Sequence, residues 1–454
     1  MRRVDESPGR EAARGSVEWA SCETSREVSP VGFLRAFPDE HQFLWSRGST
    51  GEAIAAVGRV VGWRACGPGR FGDVAAAMRH AFAGSTGPGA DHALAVGGFA
   101  FDENHVEGAD WQGFPATDWL FPRLALVRRA GVTRLVAAAA SCESSGNPSG
   151  TARSVAEAAL RRLATGPDRS GVAPPSAGSS ARFEIAATSS ADDWRGAVES
   201  LLARIAAGSL DKLVLARSIR VFSERVFDPL RVVERLAEAH PDCATFAVRR
   251  GPATLVGATP ERLVRVRQHG VDVSVLAGTA RRGESRTDDR ARGLALLAAA
   301  KERHEHALVL SAVREALGPL CARVASPEAP RLLRTQAVQH LWTPVRGVLR
   351  PEAGLFDCVA ALHPTPAVCG TPRETARSLI ESSEGLARGW WSGGVGWSDG
   401  RGGEVSVVLR SALLRDREAL LCAGAGIVAG SHWEDELEET RLKLRPMLAA
   451  LVEV

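Results

Sequence analysis

The sequence lacks the patterns that are typical of zinc-binding, secreted and membrane proteins. Its eight cysteines, at positions 22, 66, 142, 243, 321, 358, 369 and 422, form no CxxC pair, which favours free thiols in a reducing compartment over zinc ligands or a disulfide framework. No apolar run is long enough to cross a bilayer, and the opening residues MRRVDE do not begin a signal peptide. We therefore expect a cytoplasmic protein with no membrane partner.

A strong charge of one sign is also missing. The net charge is +3, and no arginine-rich run is interleaved with aromatic residues, so we expect no nucleic-acid partner. There is no GxxxxGK[ST] phosphate loop, no HExxH zinc motif and no repeat at solenoid or propeller periods. What is present is an ordinary globular composition, 45% hydrophobic and 24% charged over 454 residues.

The chain divides into a tail and two halves. Residues 1 to about 30 are polar and without periodicity, which predicts a disordered tail. Strands are predicted at residues 93–101 and 124–127 and a helix at 154–164. Residues 165–181 contain Gly-Pro, Pro-Pro and Gly-Ser-Ser and form the clearest linker. The half before this linker has no obvious chemistry, whereas the half after it has a great deal.

A helix near the C-terminus carries the first candidate site. Ser431 and Glu434 form a capping box, which predicts a helix from there to about Met447. Three charged residues then share one face of that helix: Glu436, Glu439 and Lys443. Such a face suits a hard divalent cation with an anionic ligand beside it, although a solvated acidic face has the same pattern. Residues 421–428 predict a strand that runs into a glycine-rich turn, where the backbone can approach a ligand closely.

Several further stretches of the second half carry possible chemistry. After a helix that begins with a capping box at Ser190, residues 211–221 predict a strand with Lys212 at its entry. That lysine is either an edge charge or, desolvated near Arg217, a base. Glu261 follows an apolar strand at residues 254–258. Residues 276–280 read as a turn of small residues that presents backbone amides.

A second Glu-x-x-Glu pair lies on a long helix predicted from about Asp288 to Leu317. Glu302 and Glu305 are three residues apart and so share a face. If this helix faces the C-terminal one, four carboxylates can hold Mg²⁺ together with waters and a substrate oxygen. The alternative is a solvated helix face, with His304 and His306 as surface or packing histidines.

Together these residues resemble the chorismate-utilising enzymes, and isochorismate synthases in particular. Salicylate, anthranilate and aminodeoxychorismate synthases are the other members of that family. The resemblance covers about residues 93 to 450. It rests on ordered motifs: Lys212-Leu-Val-Leu-Ala-Arg217, Thr259-Pro-Glu-Arg-Leu263, Leu276-Ala-Gly-Thr279, Lys301-Glu-Arg-His-Glu-His306, Gln339-His-Leu341, the segments 362–372, 393–396, 408–412 and 423–428, and Glu436-x-x-Glu-Thr-x-x-Lys443.

The resemblance implies an α+β fold. Two long antiparallel sheets would pack face to face with helices outside, in one chorismate-binding catalytic unit over residues 31–454. Residues 165–181 would then be an internal loop rather than a domain boundary. We expect a monomer or a weak homodimer.

It also implies a reaction, the Mg²⁺-dependent isomerisation of chorismate to isochorismate. Lys212 falls on the base that activates water for attack at C2, and Glu261 on the acid that protonates the hydroxyl leaving C4. The implied metal ligands are Glu305 and Glu439, with Glu302 and Glu436 beside them. The implied substrate-binding residues are Gly278, Thr279, His340, Trp391, Arg410, Gly424, Ala425, Gly426 and Lys443. Arg410 is expected to follow a strand at 405–409 and to share a face with Val408 and Ala412.

Two positions and one motif separate the members of the family. Ala277 stands where aminodeoxychorismate synthases carry a lysine nucleophile, and anthranilate synthases lack a lysine at the position of Lys212. Water is therefore the predicted nucleophile. The version of the 363–372 motif favours isochorismate synthase, with salicylate synthase, which goes on to eliminate pyruvate, as the alternative. Trp391 departs from the tyrosine or phenylalanine usual at its position.

Two classes of protein outside the family share part of this pattern. A binding or regulatory protein that retains the fold would not need both Lys212 and Glu261. A metal-dependent phosphotransfer enzyme would share the acidic helices but should carry a phosphate loop. The residues leave open whether the product feeds menaquinone or siderophore biosynthesis.

Overall fold

The computed structural model of the chain describes residues 16–24, 27–140, 151–165, 182–335 and 338–452. The predicted linker at 165–181 lies outside these residues except for Thr165, which ends a helix. The strands on either side of that segment nevertheless belong to the same two sheets.

Ten helices and 23 strands are present in the described part of the chain. The strands are β1 (Val17–Glu23), β2 (His41–Arg47), β3 (Glu52–Val57), β4 (Val61–Arg64), β5 (Ser85–Thr86), β6 (Ala95–Phe99), β7 (Thr117–Phe121), β8 (Leu124–Arg129), β9 (Val132–Ala140), β10 (Phe183–Ala187), β11 (Lys212–Ser223), β12 (Ala244–Arg250), β13 (Ala253–Thr259), β14 (Arg262–Arg267), β15 (Gly270–Arg281), β16 (Cys321–Ala325), β17 (Arg331–Arg334), β18 (Val338–Leu349), β19 (Gly370–Thr371), β20 (Gly394–Ser398), β21 (Gly403–Val407), β22 (Ser411–Arg415) and β23 (Glu418–Val428). The helices are α1 (Pro30–Ala36), α2 (Arg70–Ala83), α3 (Ala152–Thr165), α4 (Ala191–Ala206), α5 (Pro229–Ala239), α6 (Arg286–Ala298), α7 (Ala300–Leu317), α8 (Leu355–Leu362), α9 (Arg373–Ser383) and α10 (Trp433–Leu451).

The strands form two large sheets. The first has 13 strands in the order β10-β11-β23-β22-β13-β12-β2-β3-β8-β9-β1-β5, with β19 added beside β11. The second has 10 strands in the order β16-β18-β15-β14-β21-β20-β6-β7-β4, with β17 added beside β18. Neighbouring strands are antiparallel except for the short parallel pair β1 and β5. The predicted α+β fold with two antiparallel sheets is confirmed.

The buried side chains show how the layers pack. One apolar cluster joins Trp45 and Phe246 of the 13-stranded sheet to Val96 and Trp397 of the 10-stranded sheet, so the two sheets meet face to face. A second cluster covers the outer face of the 13-stranded sheet with α1, α3, α5 and α10. A third covers the 10-stranded sheet with α2, α7 and α8. The helices therefore lie outside, as predicted.

The predicted tail contains a strand. Val17–Glu23 forms β1, which pairs along its whole length with β9. Val17 and Trp19 are buried, and the Trp19 ring packs edge-on against Phe121. The prediction of a disordered tail through residue 30 is therefore wrong for these residues, because two buried side chains suffice to dock a short strand that reads as polar. Residues 1–15 lie outside the described part of the chain.

Two helix predictions also need correction. The helix predicted from 288 to 317 is interrupted at Ala299, whose extended backbone separates α6 from α7. The Ser431–Glu434 capping box does not form, because the Ser431 hydroxyl accepts a hydrogen bond from the Val428 amide instead. Helix α10 starts at Trp433 without a side-chain cap and runs to Leu451, with Pro446 inside it. The capping box at Ser190 is confirmed.

Candidate active site

A cavity lies among β11, β15, β23, α7 and α10. It brings together residues that are up to about two hundred positions apart in the sequence. The predicted site residues that line it are Glu261, Gly278, Thr279, Glu305, His340, Trp391, Arg410, Gly424, Gly426, Glu439 and Lys443.

Glu261 and Arg410 lie side by side where the chain crosses between the sheets. Glu261 stands between β13 of the 13-stranded sheet and β14 of the 10-stranded one, and Arg410 between β21 and β22, which cross in the opposite sense. The two crossings are tied by hydrogen bonds from the Val407 amide to the Glu261 carbonyl (3.0 Å) and from the Ala258 amide to the Arg410 carbonyl (3.2 Å). Arg410 has a φ of 47°, so the predicted alternation with its neighbours along one strand is wrong.

Burial sets the protonation of Glu261. Removal of the carboxyl from water raises its pKa to about 7, even though Lys212, Arg410 and Lys443 act in the opposite direction. In the part of the chain that the structure describes, no cation forms an ion pair with this carboxylate. Glu261 is thus a buried carboxyl that holds a proton near neutral pH.

Lys212, unlike Glu261, has an oppositely charged partner in direct contact. It is the first residue of β11 and its side chain is fully buried. Its ammonium donates a hydrogen bond of 2.7 Å to Oε1 of Glu305. Although burial raises the pKa of Glu305, the nearby lysines outweigh it and hold that pKa below its usual value. Arg217 does not join this pair and instead donates to the hydroxyl of Thr440.

The glycines beside Lys212 lie in a strand and not in the predicted turn. Gly424 and Gly426 belong to β23 and pair with Ala216 and Val214 of β11. A Cβ on Gly426 would lie 2.5 Å from Glu305 Oε1 and 3.0 Å from Lys212 Cε, so the ion pair occupies the space of a side chain. Ala425 points to the other face of the strand and packs in an apolar cluster with α4. Its side chain therefore faces away from the cavity, because strand residues alternate between faces.

All three lysines of the chain lie at this site. Lys443 contacts Glu439 Oε1 at 2.5 Å and donates to the Gly424 carbonyl at 2.8 Å, and Lys301 donates to Glu436 Oε1 at 2.7 Å. The chain has 56 lysines and arginines in total, so arginine supplies nearly all of its other basic groups. This scarcity is a signal that could have identified Lys301 as part of the site from sequence.

Four carboxylates face one another across α7 and α10. Burial and the charge of Glu305 raise the pKa of Glu302 to about 7, and burial and Glu439 raise that of Glu436. Among the described residues, no three acidic, histidine or cysteine side chains converge closely enough to hold a metal ion as they stand, since lysines contact three of the four carboxylates. The donor chemistry nevertheless fits Mg²⁺, because oxygen ligands that raise one another's pKa are stabilised by a divalent cation.

The segment predicted as a small-residue turn continues β15. A bulge between Ala277 and Thr279, with Gly278 at a φ of 78°, bends the strand toward the cavity. The Thr279 amide donates to Glu302 at 3.1 Å.

A neutral histidine lies beside this bulge. The Thr279 hydroxyl is 3.1 Å from Nδ1 of His340, and the buried Nε2 of that ring has no partner within the described residues. Burial, with Arg410 and Lys443, lowers the pKa of His340 to about 3, so its ring is neutral. His306 bonds to the Thr343 hydroxyl and the Ala277 carbonyl, and His304 is exposed, which confirms packing and surface roles for these two.

Trp391 forms part of the cavity wall. It is 3% exposed, and its indole N–H has no hydrogen-bond partner in the described part of the chain. The guanidinium of Arg388 lies 5.1 Å from the ring centroid. A large apolar ring thus stands where a phenol would bring a hydroxyl group.

The chain is similar to a family of known proteins. Residues 11–452 match the model of the family described as chorismate binding enzyme. The salicylate biosynthesis isochorismate synthase of Pseudomonas aeruginosa is 38% identical over 360 residues, which cover 78% of this chain and 73% of that protein. The isochorismate synthase MenF of Bacillus subtilis is 35% identical over 361 residues, covering 78% and 74%.

Solved structures share the fold. The menaquinone-specific isochorismate synthase MenF of Escherichia coli superposes with a TM-score of 0.78 over 97% of both chains, at 24% sequence identity. No helix in the described part of the chain is long and apolar enough to span a membrane.

Proposed function

The chain belongs to the chorismate-binding enzyme family, and we propose that it is an isochorismate synthase, an isomerase that converts chorismate to isochorismate. The observation that supports this proposal most directly is that a buried lysine and a buried carboxyl of raised pKa lie at one cavity. Lys212 is close enough to Glu261 to act on the pKa of its carboxyl, and the two side chains do not form an ion pair with each other.

The cationic groups of the cavity suit a dianionic substrate. Arg410 and Lys443 are two fixed positive charges, and the guanidinium of Arg410 has the planar fork that binds a carboxylate in a bidentate manner. In the described residues no carboxylate forms an ion pair with Arg410, which leaves it available to a ligand. The neutral imidazole of His340 and the ring of Trp391 would border the substrate ring.

The reaction then needs one base and one acid. Lys212 would accept a proton from a water molecule as that water bonds to C2, while the ring double bond shifts. Glu261 would donate its proton to the hydroxyl that leaves C4 as water. One water adds and one departs, so the product is an isomer of the substrate.

Magnesium is the cofactor that these residues would hold. Glu305 and Glu439 would be its principal ligands, with Glu302 and Glu436 beside them. When bound there, Mg²⁺ would neutralise the substrate carboxylate next to it and so lower the cost of its burial. With Glu305 held by the metal, Lys212 would no longer be needed as its ionic partner and could be the neutral amine that the role of base requires. Lys443 and Lys301 would still balance the charge of Glu439 and Glu436.

Water is favoured over an amine as the nucleophile by the residue at position 277. Ala277 lines the cavity with a methyl group, where a lysine would be required for an enzyme-bound amine. The same site in a salicylate synthase would go on to eliminate the enolpyruvyl group, so the product distinguishes these two enzymes.

The test is conversion of chorismate in ¹⁸O-labelled water with Mg²⁺. Isochorismate should form with label in its new hydroxyl group, as read by mass spectrometry, and added ammonium should yield no amino product. Salicylate and pyruvate as the main early products would establish the salicylate synthase instead. An amine-bearing product would refute the role of Lys212.

A further inference from the structure

A buried ion pair lies directly behind the wall of the cavity and takes no part in the chemistry described above. Arg388 and Glu384, in the segment that follows α9, have side chains that are 3% and 0% exposed. Nε of Arg388 donates to Glu384 Oε2 at 2.8 Å, and Nη2 contacts the other carboxylate oxygen. The two side chains thus form a bidentate pair inside the protein.

This pair forms hydrogen bonds with a stretch of β11 that has no neighbouring strand on one edge. On one edge, β11 pairs with β19 at Lys212 and Leu213 and with β10 only from Ile219 onward. Between these strands, the Val214 carbonyl accepts a hydrogen bond of 2.7 Å from Arg388, and the Ala216 amide donates one of 2.8 Å to Glu384. The ion pair therefore supplies the donor and acceptor that a neighbouring strand would supply.

The same guanidinium reaches two other segments of the cavity wall. Its Nη1 donates to the Val368 carbonyl at 2.7 Å, and its face stacks on Trp391. Val214, Val368 and Trp391 come from three separate stretches of chain, and all three line the cavity. One side chain thus fixes the relative positions of these three segments. Val214, in one of them, is two residues from Lys212.

We propose that Arg388 and Glu384 are positioning residues that hold the Lys212 end of β11 and the Trp391 wall in the register that the reaction requires. This inference rests on the proposed function. Neither residue lines the cavity. Their effect on the reaction is transmitted through Val214, Val368 and Trp391, and loss of either charge lets these segments shift relative to one another.

The chain offers a matched control in Arg70. That arginine is also buried, donates to the carbonyls of Asp102, Ala116 and Ala100 at 2.8 to 2.9 Å, and stacks on Phe71 at 4.6 Å. None of these residues lines the cavity. Arg70→Ala therefore reports what the loss of a buried, carbonyl-bound arginine does to the fold alone.

The experiment compares Arg388→Ala with Arg70→Ala and the wild-type protein in the chorismate assay. Arg388→Ala should lower kcat by about 10²-fold, since a displacement of ~1 Å at the reacting groups costs that much, while KM changes far less. Arg70→Ala should lower the thermal unfolding temperature but leave kcat of the folded protein near the wild-type value. Free guanidinium at non-denaturing concentration should restore part of kcat to Arg388→Ala only, and urea, a neutral molecule of similar shape, should not.

Two further variants keep the test decisive. Glu384→Gln retains the acceptor for Ala216 and loses only the charge, so it should fold and show a smaller fall in kcat at unchanged KM. Arg388→Lys keeps the charge but cannot reach two carbonyls and a carboxylate at once, and should not restore kcat.

The outcomes that would overturn the inference are specific. If the wild-type protein turns over normally and kcat is also unimpaired in Glu384→Gln or Arg388→Ala, the inference is refuted and the proposed function is not. Equal losses in Arg388→Ala and Arg70→Ala without rescue by guanidinium would reduce the pair to a role in stability. No isochorismate from the wild-type protein would instead refute the proposed function, and the inference with it.

Discussion

Glu305 and Glu261 line the same cavity, and the pKa values of their carboxyl groups are shifted in opposite directions. Burial raises the pKa of both carboxyls. For Glu261 that effect prevails and the pKa lies at about 7, whereas for Glu305 the contact with Lys212 reverses it. The difference is one hydrogen-bonded ammonium at 2.7 Å.

The comparison shows that burial alone does not assign a role to a carboxyl group. Cations near Glu261 act on it only at longer range, where their effect does not compensate for lost hydration. A buried carboxyl without a contacting cation becomes an acid near neutral pH, and one with such a cation stays an anion that can hold a metal. Variants of these carboxyl groups and of Lys212 test the proposed roles.

The largest effect is expected on removal of the paired carboxylates. Glu305→Ala and Glu439→Ala should each abolish turnover, because each removes a charge that would hold Mg²⁺ beside the substrate carboxylate. Glu438→Ala is the matched control, since Glu438 lies on the same helix but bonds to Arg441 and other arginines outside the cavity. It should keep normal kcat in the same assay. Full activity of the wild-type protein in EDTA would contradict the metal site.

The next largest effect is expected on removal of Lys212, the partner of Glu305. Lys212→Ala should lower kcat by about 10³-fold, within the range for removal of a general base. Lys212→Arg separates the two roles of this residue, because arginine keeps the ion pair with Glu305 but stays protonated. It should therefore be as inactive as Lys212→Ala. Recovery of turnover in Lys212→Arg would show that charge, and not basicity, is what the reaction needs.

A smaller loss is expected at the unpaired carboxyl. Glu261→Gln keeps the shape of the side chain and removes the transferable proton, so kcat should fall by about 10²-fold. Chorismate should still bind, which titration calorimetry of the variant would show. Turnover near the wild-type level would assign the acid to another residue.

The pH dependence of the wild-type protein sharpens the same assignment. Glu261 has a raised pKa, so its acid form is present below about pH 7 and is lost as the pH rises through that value. The corresponding limb of kcat should fall about tenfold for each pH unit above it. Glu261→Gln should lack this limb. A limb that persists unchanged in the variant would belong to a different group.

Sequence alone indicated which charged residues lie together better than it predicted their local structure. The structure brings Lys212, Glu261, Glu305 and Lys443 close to one another, as their motifs indicated, since motifs preserve residue type and spacing. The backbone around them was not predicted. Gly426 looks like a turn residue but lies in a strand, where its hydrogen leaves space for the Lys212–Glu305 pair.

The sequence could not predict the role of residues that depend on partners distant in the chain. Ser431 caps nothing because its hydroxyl is taken by Val428, and Ala425 faces away because the register of β23 against β11 decides its side. Arg388 and Glu384 carry no local signal at all, since what they complete is an edge of β11 about 170 residues away. Such roles follow from sheet pairing, which a single sequence does not reveal.

The smallest expected effect concerns stability. Between pH 4.5 and 7 the folded protein holds a proton on Glu261 that the unfolded chain has lost, so the free energy of unfolding falls as the pH rises through this window. A shift from 4.5 to about 7 corresponds to at most ~3 kcal/mol at ~1.36 kcal/mol per pH unit. Glu261→Gln removes that cost, so it should be more stable than the wild-type protein at pH 8 and about equally stable at pH 4.5. Urea unfolding of both proteins at the two pH values measures the difference. Glu199→Gln, at an exposed carboxylate on α4, is the control for the loss of a carboxylate that is not buried. The same stability difference at both pH values would mean that Glu261 stays ionised in the folded protein, and its role as the acid would then have no electrostatic basis.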